Sequence, residues 1–592
     1  MLNPHADRLD YGDKLKAPEG FTLSHAIATT YTLDLETLLC LPLALSFNCP
    51  PEGDLQTDKL ALLEAISQLK GKVKVFFQQG CIKLPRHFNL LFSLLEPLLA
   101  PQVPGDAFSS FHPKFWLLRF TSPTKAVRYR LLVLSRNLTF DRSWDLAVAL
   151  EGEPTSARSE DNDGLVALLK ALAAGAEDLR AGLELFVKEL PRVAWDKPAG
   201  FNALKTLPEK PGKLPLSLGT AASTVMVMSP FLHHEALDLV KQAGARHWLF
   251  SRAEELDRIG ECQLQDWECF ALNPCLIEGE DELTAARPQN LHAKLVLLQE
   301  GAVSHWHIGS ANVTKAALGA VGATPRNTEF MLRLSSKSGQ QSVDQLRTEL
   351  VGREQEPTGI FIPHRFSPAS ITDDHQTEAW MRRLQHNLIQ ADWCLQARAE
   401  ANGTYTCVIE CPPPLLEQHG DWVIEVQPLV RGKPLSLASL MVWEDLNLTQ
   451  VSAFVILRVI PVSSPPVELM IKVRLEIDGG DTREQKITTT LIDSPHKLLA
   501  YIQMLLHPGH AYTADTGMTR EGGPGADADA DFSQMFGGPL HEALLCCAAR
   551  QTEKLQRIDA ILARLSDTEH LVPSELSVLW AQYQQLAWKK KA

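Results

Sequence analysis

The sequence predicts an α/β protein built from two similar repeats, each a mixed β-sheet flanked by helices, followed by a β-sandwich and a helical C-terminal region. Three observations lead to this prediction. Strand-like and helix-like segments alternate up to about residue 360, a set of polar residues recurs at nearly constant spacing, and short strands separated by turns begin after about residue 365.

Length and charge set the first limits. A chain of 592 residues, 45% of them hydrophobic, is long enough for roughly three or four domains. The formal net charge of −14 excludes a uniformly basic surface, so any binding of a polyanion has to be local. No apolar run is long enough to span a bilayer and the first residues are polar, which predicts a cytoplasmic protein without a signal peptide or membrane segment.

The cysteines indicate reduced thiols. Eleven is an odd number, and they are scattered without a disulfide framework. Cys262, Cys269 and Cys275 come nearest to a metal cluster, but their spacing is too loose for a zinc knuckle. We therefore expect neither a metal nor a cofactor.

The first repeat begins with apolar, β-rich segments at 21–48 and 72–80 around a helix predicted over Asp58–Leu69. A Pro-rich loop at Pro101–Asp106 precedes three predicted strands, and a helical stretch follows them. The predicted strands are Lys114–Phe120, Tyr129–Leu134 and Trp144–Leu150, and the helical stretch is Asp163–Leu190.

The second repeat follows a segment rich in Pro, Gly and Lys that predicts a linker. The same order of elements then returns. The predicted strands are Thr224–Met228, His247–Phe250, Leu291–Leu298, Val303–Ile308 and Glu329–Leu334, with a helix over His234–Ala243.

The C-terminal part has a different pattern. Short strands predicted at Trp422–Val426, Ala453–Val459, Val467–Ile477 and Lys486–Leu491 are typical of a β-sandwich, and Leu540–Leu565 has helical spacing. The resulting domain prediction is repeat one at 1–195, a linker at 196–216, repeat two at 217–362, a β-sandwich at 363–494 and a helical region at 495–592, with a disordered acidic loop at 513–531.

The chemistry-bearing residues occur in matching strings. The first repeat has FHPKFWLLRF and then VLSRNLTFDRSWDLAVAL; the second has LHAKLVLLQ, HIGSANVTKAALG and NTEFMLRL. Both contain His-x-Lys, a hairpin, Ser-x-Asn and a carboxylate that opens a third strand. The histidines are 180 residues apart, Asn137 and Asn312 are 175 apart, and Asp145 and Glu329 are 184 apart. One His-x-Lys is usually a surface accident, but two copies with matching downstream residues indicate a site.

The paired motifs suit phosphodiester chemistry. On a strand, residues i and i+2 share a face, so we expect His112 to project beside Lys114 and His292 beside Lys294. A phosphodiester needs a nucleophile, positive charge around the phosphoryl oxygens and an acid for the departing oxygen. Two such units facing each other supply all three.

These strings resemble the phospholipase D superfamily over about residues 20–340. The resemblance implies two repeats about a pseudo-twofold axis that form one metal-independent catalytic module. It implies that His112 is the nucleophile that forms a phosphohistidine and that His292 is the acid/base. Lys114, Lys294, Asn137 and Asn312 would bind the phosphoryl group, Ser135 and Ser310 would support it, and Asp145 and Glu329 would each accept from a histidine Nδ1. Which carboxylate serves which histidine stays open.

The sequence departs from the lipid-hydrolysing pattern HxKx4D, because Arg119 and Gln299 stand where that aspartate would fall. The pattern without the aspartate resembles the tyrosyl-DNA phosphodiesterase branch and bacterial nucleases of the superfamily. It implies a nuclease acting on DNA or RNA, in anti-phage defence or DNA repair, with a protein partner such as a helicase or methyltransferase and no membrane contact.

Two other functions stay open. A lipid phosphodiesterase or phosphatidyl transferase should have an apolar acyl groove or an interfacial helix, and the sequence contains no convincing amphipathic membrane segment. A non-catalytic scaffold would not need intact His, Lys, Asn and carboxylate residues in both repeats.

Other residues have competing interpretations. His305 and His307 share a strand face, but without a third ligand a plain hairpin is favoured over a metal pair. Trp116, Trp144 and Trp306 could stack on bases, although core packing is favoured. The linker lysines could follow a phosphate backbone or could simply be solvated; they are Lys197, Lys205, Lys210 and Lys213.

Overall fold

A computed structural model of the chain confirms the α/β class. It describes residues 9–47, 59–140, 143–173, 180–273, 290–352, 359–367, 375–412, 415, 422–430, 432–462, 465–506, 542, 544–547, 552–565 and 571–588. The expected acidic loop at 513–531 and Cys275 lie outside these residues. No described helix combines the length and the apolar character that crossing a membrane requires.

The first repeat forms a mixed sheet in the order β5-β3-β1-β6-β7-β8-β9. Strands β3 and β5 run parallel to β1, whereas β6 to β9 continue the sheet as antiparallel neighbours. The strands are β1 (Thr22–Thr30), β2 (Leu33–Asp34), β3 (Val73–Gln78), β4 (Ile82–Lys83), β5 (Leu99–Gln102), β6 (Phe115–Thr121), β7 (Val127–Leu134), β8 (Ala147–Pro154) and β9 (Val193–Trp195). The helices are α1 (Tyr11–Leu15), α2 (Leu35–Phe47), α3 (Lys59–Leu69), α4 (Phe92–Leu95), α5 (Asp163–Ala173) and α6 (Arg180–Glu189).

The second repeat forms a sheet in the order β10-β16-β15-β14-β11-β12-β13-β17. The strands are β10 (Ala203–Leu207), β11 (Ala222–Met228), β12 (Gly244–Ser251), β13 (Glu268–Leu272), β14 (Leu295–Glu300), β15 (Val303–Gly309), β16 (Met331–Ser336) and β17 (Phe361–Pro363). The helices are α7 (His234–Lys241), α8 (Ala253–Ile259), α9 (Glu261–Leu264), α10 (Lys315–Leu318) and α11 (Val343–Val351).

The two sheets are copies of one another in topology and in local hydrogen bonding. Strands β5-β3-β1-β6-β7-β8 correspond to β13-β12-β11-β14-β15-β16. After the central strand, Thr30 Oγ1 accepts from the backbone N–H of Leu138 at 3.0 Å, and Ser229 Oγ accepts from that of Val313 at 3.0 Å. The loop that carries each Ser-x-Asn motif is therefore fixed in the same way in both repeats.

The sheets pack face to face around one shared core. Alternate residues of β6 divide between two environments: Phe115 and Leu117 face this core, while Trp116 and Leu118 face α2 and α3. The rings of Phe115 and Phe330, one from each repeat, lie 4.9 Å apart. Helices cover the outer face of each sheet, so the motif-bearing strands meet between two helical layers.

The C-terminal part has two sheets around one further core. The orders are β22-β19-β18-β25 and β2-β4-β24-β23-β20-β21, so the second sheet includes two short strands from the first repeat. The strands are β18 (Cys394–Ala399), β19 (Tyr405–Glu410), β20 (Trp422–Pro428), β21 (Leu435–Ser436), β22 (Leu440–Leu446), β23 (Phe454–Pro461), β24 (Val467–Lys472) and β25 (Arg474–Ile477). The helices are α12 (His375–Gln390), α13 (Arg483–Leu491), α14 (Pro495–Leu506), α15 (Thr552–Arg564) and α16 (Ser574–Trp588).

Three expectations about secondary structure were wrong. The segment 21–48 was expected to be β-rich throughout, but Leu35–Phe47 forms helix α2, because its many leucines favour a helix and are buried in the first repeat's core. Lys486–Leu491 was expected as a strand but belongs to helix α13, whose buried Ile487 packs on the first repeat's core and overrides the β-preference of its threonines. The segment 196–216 was expected to be an unstructured linker but contains β10, which pairs antiparallel with β16 because alternate residues of Ala203–Leu207 can be buried at that edge.

Candidate active site

The two His-x-Lys motifs lie immediately before strands β6 and β14, not on them as expected. In the first copy Pro113 has no N–H to give to a sheet ladder. The motif instead pairs with the opposite repeat: His112 N–H donates to Thr328 O, and Thr328 N–H donates to Ser110 O, both at 2.9 Å. The segment that carries Glu329 thus lies beside His112.

The second copy is held in the mirrored way. The backbone N–H groups of His292 and Ala293 donate to Trp144 O at 3.0 and 2.9 Å, and Trp144 N–H donates to Asn290 O at 2.9 Å. The segment that carries Asp145 thus lies beside His292. Each histidine is therefore matched with a carboxylate from the other repeat, which the sequence left undecided.

His112 and Glu329 form the tighter of these pairs. The His112 Nδ1 lies 2.9 Å from Glu329 Oε2, and the Glu329 side chain is only 1% exposed. Ser310 Oγ donates to the same carboxylate oxygen, and Asn327 Nδ2 donates to the other at 3.0 Å. Because the carboxylate can only accept, it fixes the proton of His112 on Nδ1 and leaves Nε2 with a lone pair.

His292 and Asp145 form a looser pair. The distance from His292 Nδ1 to Asp145 Oδ1 is 3.4 Å, and Ser135 Oγ donates to the same oxygen at 3.4 Å. The Arg136 guanidinium approaches the other oxygen at 3.7 Å. The two halves of the site are therefore alike in composition but unequal in geometry.

The two lysines lie at the centre of the site and are almost completely buried, with Lys114 at 0% and Lys294 at 1% exposure. Lys114 Nζ donates to His112 O at 2.9 Å, and Lys294 Nζ donates to His292 O at 2.7 Å and across the repeats to Ser135 O at 3.2 Å. Burial and the nearby Lys294 charge lower the pKa of Lys114 well below its usual value. A bound anion would offset both effects and favour the charged form of the two amines.

Burial and neighbouring charges set the pKa values of His112 and Glu329. Burial lowers the pKa of His112 to about 4, against the opposing charge of Glu329. Burial raises the pKa of Glu329, but His112, Lys114 and Ser310 outweigh it and the net pKa is lowered. Near neutral pH the pair is thus a neutral imidazole and a carboxylate. Burial also lowers the pKa of His292.

The two motif asparagines have buried amide oxygens. Asn137 Oδ1 and Asn312 Oδ1 have no hydrogen-bond partner among the described residues. Buried polar atoms are nearly always paired in folded proteins, so two unpaired acceptors at matched positions beside the site indicate a place where a ligand can donate hydrogen bonds. Ser135 and Ser310, in contrast, accept from Leu146 and Phe330 N–H and orient the carboxylates.

The structure adds residues that the motif analysis missed. The Tyr31 ring lies 5.2 Å from the His112 ring, edge to face, and Lys114 Nζ is 5.9 Å from its centroid. Nothing in the motif strings indicated Tyr31. Asn327 could have been found, because it lies two residues before Glu329 and shares its side of an extended segment. Gln78 Oε1 accepts from Phe111 N–H at 2.8 Å and so fixes the entry to the first motif.

The residues that replace the lipid-hydrolysing aspartate brace the fold. Arg119 makes two hydrogen bonds to Glu189, each at 3.0 Å, and so ties β6 to α6. Gln299 donates to Gly301 O at 2.8 Å and accepts from Val343 N–H at 3.2 Å. The partners in these hydrogen bonds are Glu189, Gly301 and Val343, so neither His112 nor His292 is among them.

The less favoured candidates are accounted for by other contacts. His307 is buried and bonded to Val296 O, whereas His305 Nδ1 contacts Ser335 Oγ. The described residues contain no group of three or more His, Cys, Asp or Glu that could hold a metal. Trp116 and Trp306 are core residues, and Trp144 packs edge to face on Phe361. Lys205 pairs with Glu209, while the linker's other lysines are exposed: Lys197, Lys210 and Lys213.

Fold and site together define a two-repeat α/β module in which each repeat supplies His, Lys, Ser, Asn and a carboxylate to one cluster. No protein-family model and no curated protein matches the chain. It is similar to the solved structure of yeast tyrosyl-DNA phosphodiesterase, with 11% identity and a TM-score of 0.34 over 56% of this chain and 86% of that chain. Two mutants of the yeast enzyme give TM-scores of 0.36 and 0.35 at 10% and 9% identity, over 56% and 55% of this chain and 86% and 85% of theirs. Likenesses this low assign no activity.

Proposed function

We propose that the chain is a metal-independent phosphodiesterase that cleaves DNA or RNA through a phosphohistidine. The observation that carries the proposal is the crossed arrangement of the site. Two histidines from different repeats each have Nδ1 directed at a carboxylate of the other repeat, with two buried lysines between them. Both imidazoles therefore present Nε2 to a substrate, and the lysines provide the charge that a phosphoryl group needs.

In the first step, the lone pair of His112 Nε2 attacks phosphorus. A P–N bond forms while the bond from phosphorus to the leaving oxygen breaks, and His292 gives its proton to that oxygen. The lowered pKa of His112 supports its role as nucleophile, because a neutral imidazole is the reactive form. Glu329 stabilises the positive charge that develops on the His112 ring.

In the second step, the now neutral His292 takes a proton from water. The resulting hydroxide oxygen attacks phosphorus, the P–N bond breaks, and the electron pair returns to His112 Nε2. Both histidines are then back in their starting protonation states, so no further acid or base is needed.

Lys114 and Lys294 bind the non-bridging oxygens, and the carboxamides of Asn137 and Asn312 donate to them as charge builds. Preorganised donors of this kind are each worth about 10²- to 10³-fold in rate. This role uses the Nδ2 groups of the two asparagines, because their Oδ1 atoms can only accept.

Nucleic acid is the proposed substrate because the motifs lack the aspartate of the lipid-hydrolysing pattern, and Arg119 and Gln299 are committed to structural contacts instead. A role in anti-phage defence or DNA repair, with a helicase or methyltransferase as partner, is proposed on the motif resemblance alone.

The test is cleavage of labelled single- and double-stranded DNA and RNA in EDTA, with phosphatidylcholine hydrolysis measured alongside. We expect nucleic-acid cleavage by the wild type, and none by His112→Ala or His292→Ala. His305→Ala is the matched control, because His305 also pairs with a carboxylate but lies outside the cluster. With a p-nitrophenyl ester, whose leaving group needs no proton, the His292→Ala protein should still accumulate an acid-labile phosphoenzyme. Lipid turnover alone, or complete dependence on Mg²⁺, would refute the proposal.

A further inference from the structure

A polar cavity of about 320 Å³ opens beside the proposed nucleophile. Tyr31 and Ser110 form its inner end, and helix α12 of the C-terminal part forms its opposite wall with Arg382, Gln385 and His386. Tyr31 contacts the His112 ring, and Ser110 lies two residues before His112. Tyr31 therefore borders both the cavity and the His112 ring, and a helix outside both repeats completes the cavity.

Helix α12 is held firmly in this position. Its Leu384, Leu388 and Ile389 are buried in the core of the two C-terminal sheets. On the other side it meets the turn after β3, where a Cβ on Gly80 would come within 2.7 Å of Ile389 Cγ2. Gly80 also has φ +81°, so both its backbone and its missing side chain allow the close approach. The cavity wall is thus part of the fold.

The residues that line the cavity include hydrogen-bond donors that can bind the oxygens of a phosphate group. Arg382 is exposed and forms no ion pair with any described residue, and the carboxylate among the lining residues, Asp106, keeps its negative charge but accepts from Phe108 N–H at 2.7 Å. His386 Nδ1 is buried without a hydrogen-bond partner in the described part of the chain. A guanidinium and an unsatisfied imidazole nitrogen on one helix face provide donors for phosphate oxygens.

The size of the cavity limits what it accepts. At about 320 Å³ it is at the small end of ligand pockets, which suits one unit of a single strand and not a duplex. Because the Tyr31 ring lies between the cavity and His112, we expect the unit inside the cavity to be next to the phosphate under attack. Tyr31 and Phe108 provide apolar surface for a sugar or base.

We propose that this cavity binds the nucleotide adjacent to the scissile phosphate of a single strand, with Arg382 on the flanking phosphate. The inference rests on the proposed function and adds the C-terminal part as a component of substrate binding. It explains why a helix from outside the repeats is built against the first repeat at this point.

The test compares an oligonucleotide with bis(p-nitrophenyl) phosphate, a diester without a flanking phosphate. For Arg382→Ala, we expect the ratio of kcat/KM for the oligonucleotide to kcat/KM for the small diester to fall about tenfold, mainly through KM. Arg382→Lys should restore most of the loss, since a point charge still contacts phosphate. Arg398→Ala is the control, because Arg398 is an exposed arginine of the same C-terminal part that does not line the cavity.

Binding provides an independent readout. The dissociation constant of a fluorescent single-stranded oligonucleotide should depend on salt with a slope smaller by about 0.7 in Arg382→Ala, the loss of one phosphate contact. An unchanged ratio and slope in a wild type that cleaves would overturn this inference and leave the proposed function intact. A reduced slope in a protein that cleaves no diester would show that Arg382 contacts a single strand, but it would refute the proposed function and, with it, the placement of a nucleotide beside a scissile phosphate. Matching melting temperatures exclude unfolding as the cause.

Discussion

Replacing Glu329 with glutamine removes one negative charge and one acceptor oxygen while it keeps the length and shape of the side chain. The carboxylate is 1% exposed and receives hydrogen bonds from His112, Ser310 and Asn327. A carboxamide in its place has an NH₂ group that cannot accept, so one donor loses its partner or His112 shifts its proton to Nε2. In that tautomer the lone pair is no longer on the attacking nitrogen.

The expected effect is a fall in kcat of about 10³-fold, or about 4 kcal/mol of transition-state stabilisation. Single-turnover cleavage of an oligonucleotide at saturating enzyme measures it directly. Glu300→Gln is the matched control: this carboxylate lies 3.7 Å from His305 and is 33% exposed, so its loss should change kcat by less than about twofold. If Glu329→Gln folds normally and keeps more than a tenth of the wild-type rate, the tautomer argument is wrong.

Three further predictions concern pH and stability. First, kcat/KM for an oligonucleotide should fall as pH rises above the pKa of His292, which burial lowers below 6.5. A substrate with a p-nitrophenyl leaving group, which needs no proton, should not show that fall. The same pH profile for both substrates would exclude His292 as the acid. Second, His112 is protonated at a higher pH in the unfolded state than in the folded state, so the free energy of unfolding should fall as the pH is lowered from about 6.5 to 4. Urea unfolding should show that this fall is smaller by about 2 kcal/mol in His112→Gln than in the wild type. An equal fall in both proteins would contradict the burial argument. Third, Arg483→Ala should cost about 4 kcal/mol because it leaves Glu96 buried and unpaired, whereas the exposed Arg474→Ala should cost under about 1; equal costs in denaturant titrations would refute this.

The sequence predicted the candidate residues because they occur in short motifs that can be recognised along the chain. His-x-Lys, Ser-x-Asn and a following carboxylate recur in register, and the structure brings both sets together. The alternation of strand residues also predicted the hairpins, since burial of one face leaves a clear pattern in sequence. Strand β10 and helix α13 were mispredicted because long-range packing, which a local pattern does not contain, decides their form.

The sequence by itself determined the α/β class, the two repeats, and the identities of the ten candidate residues, because periodic burial and motif spacing are local properties of the chain. Only the tertiary structure decided that each carboxylate serves the histidine of the opposite repeat, that the His-x-Lys motifs precede their strands, and that Tyr31 and helix α12 border the site. These arrangements bring together residues more than a hundred positions apart, since His112 contacts Glu329, and Tyr31 lines the same cavity as Arg382. They form because the two repeats pack their apolar sheet faces together and the C-terminal sheets, with helix α12, pack against the first repeat. The apolar burial that drives this packing does not depend on how far apart the residues are in the sequence.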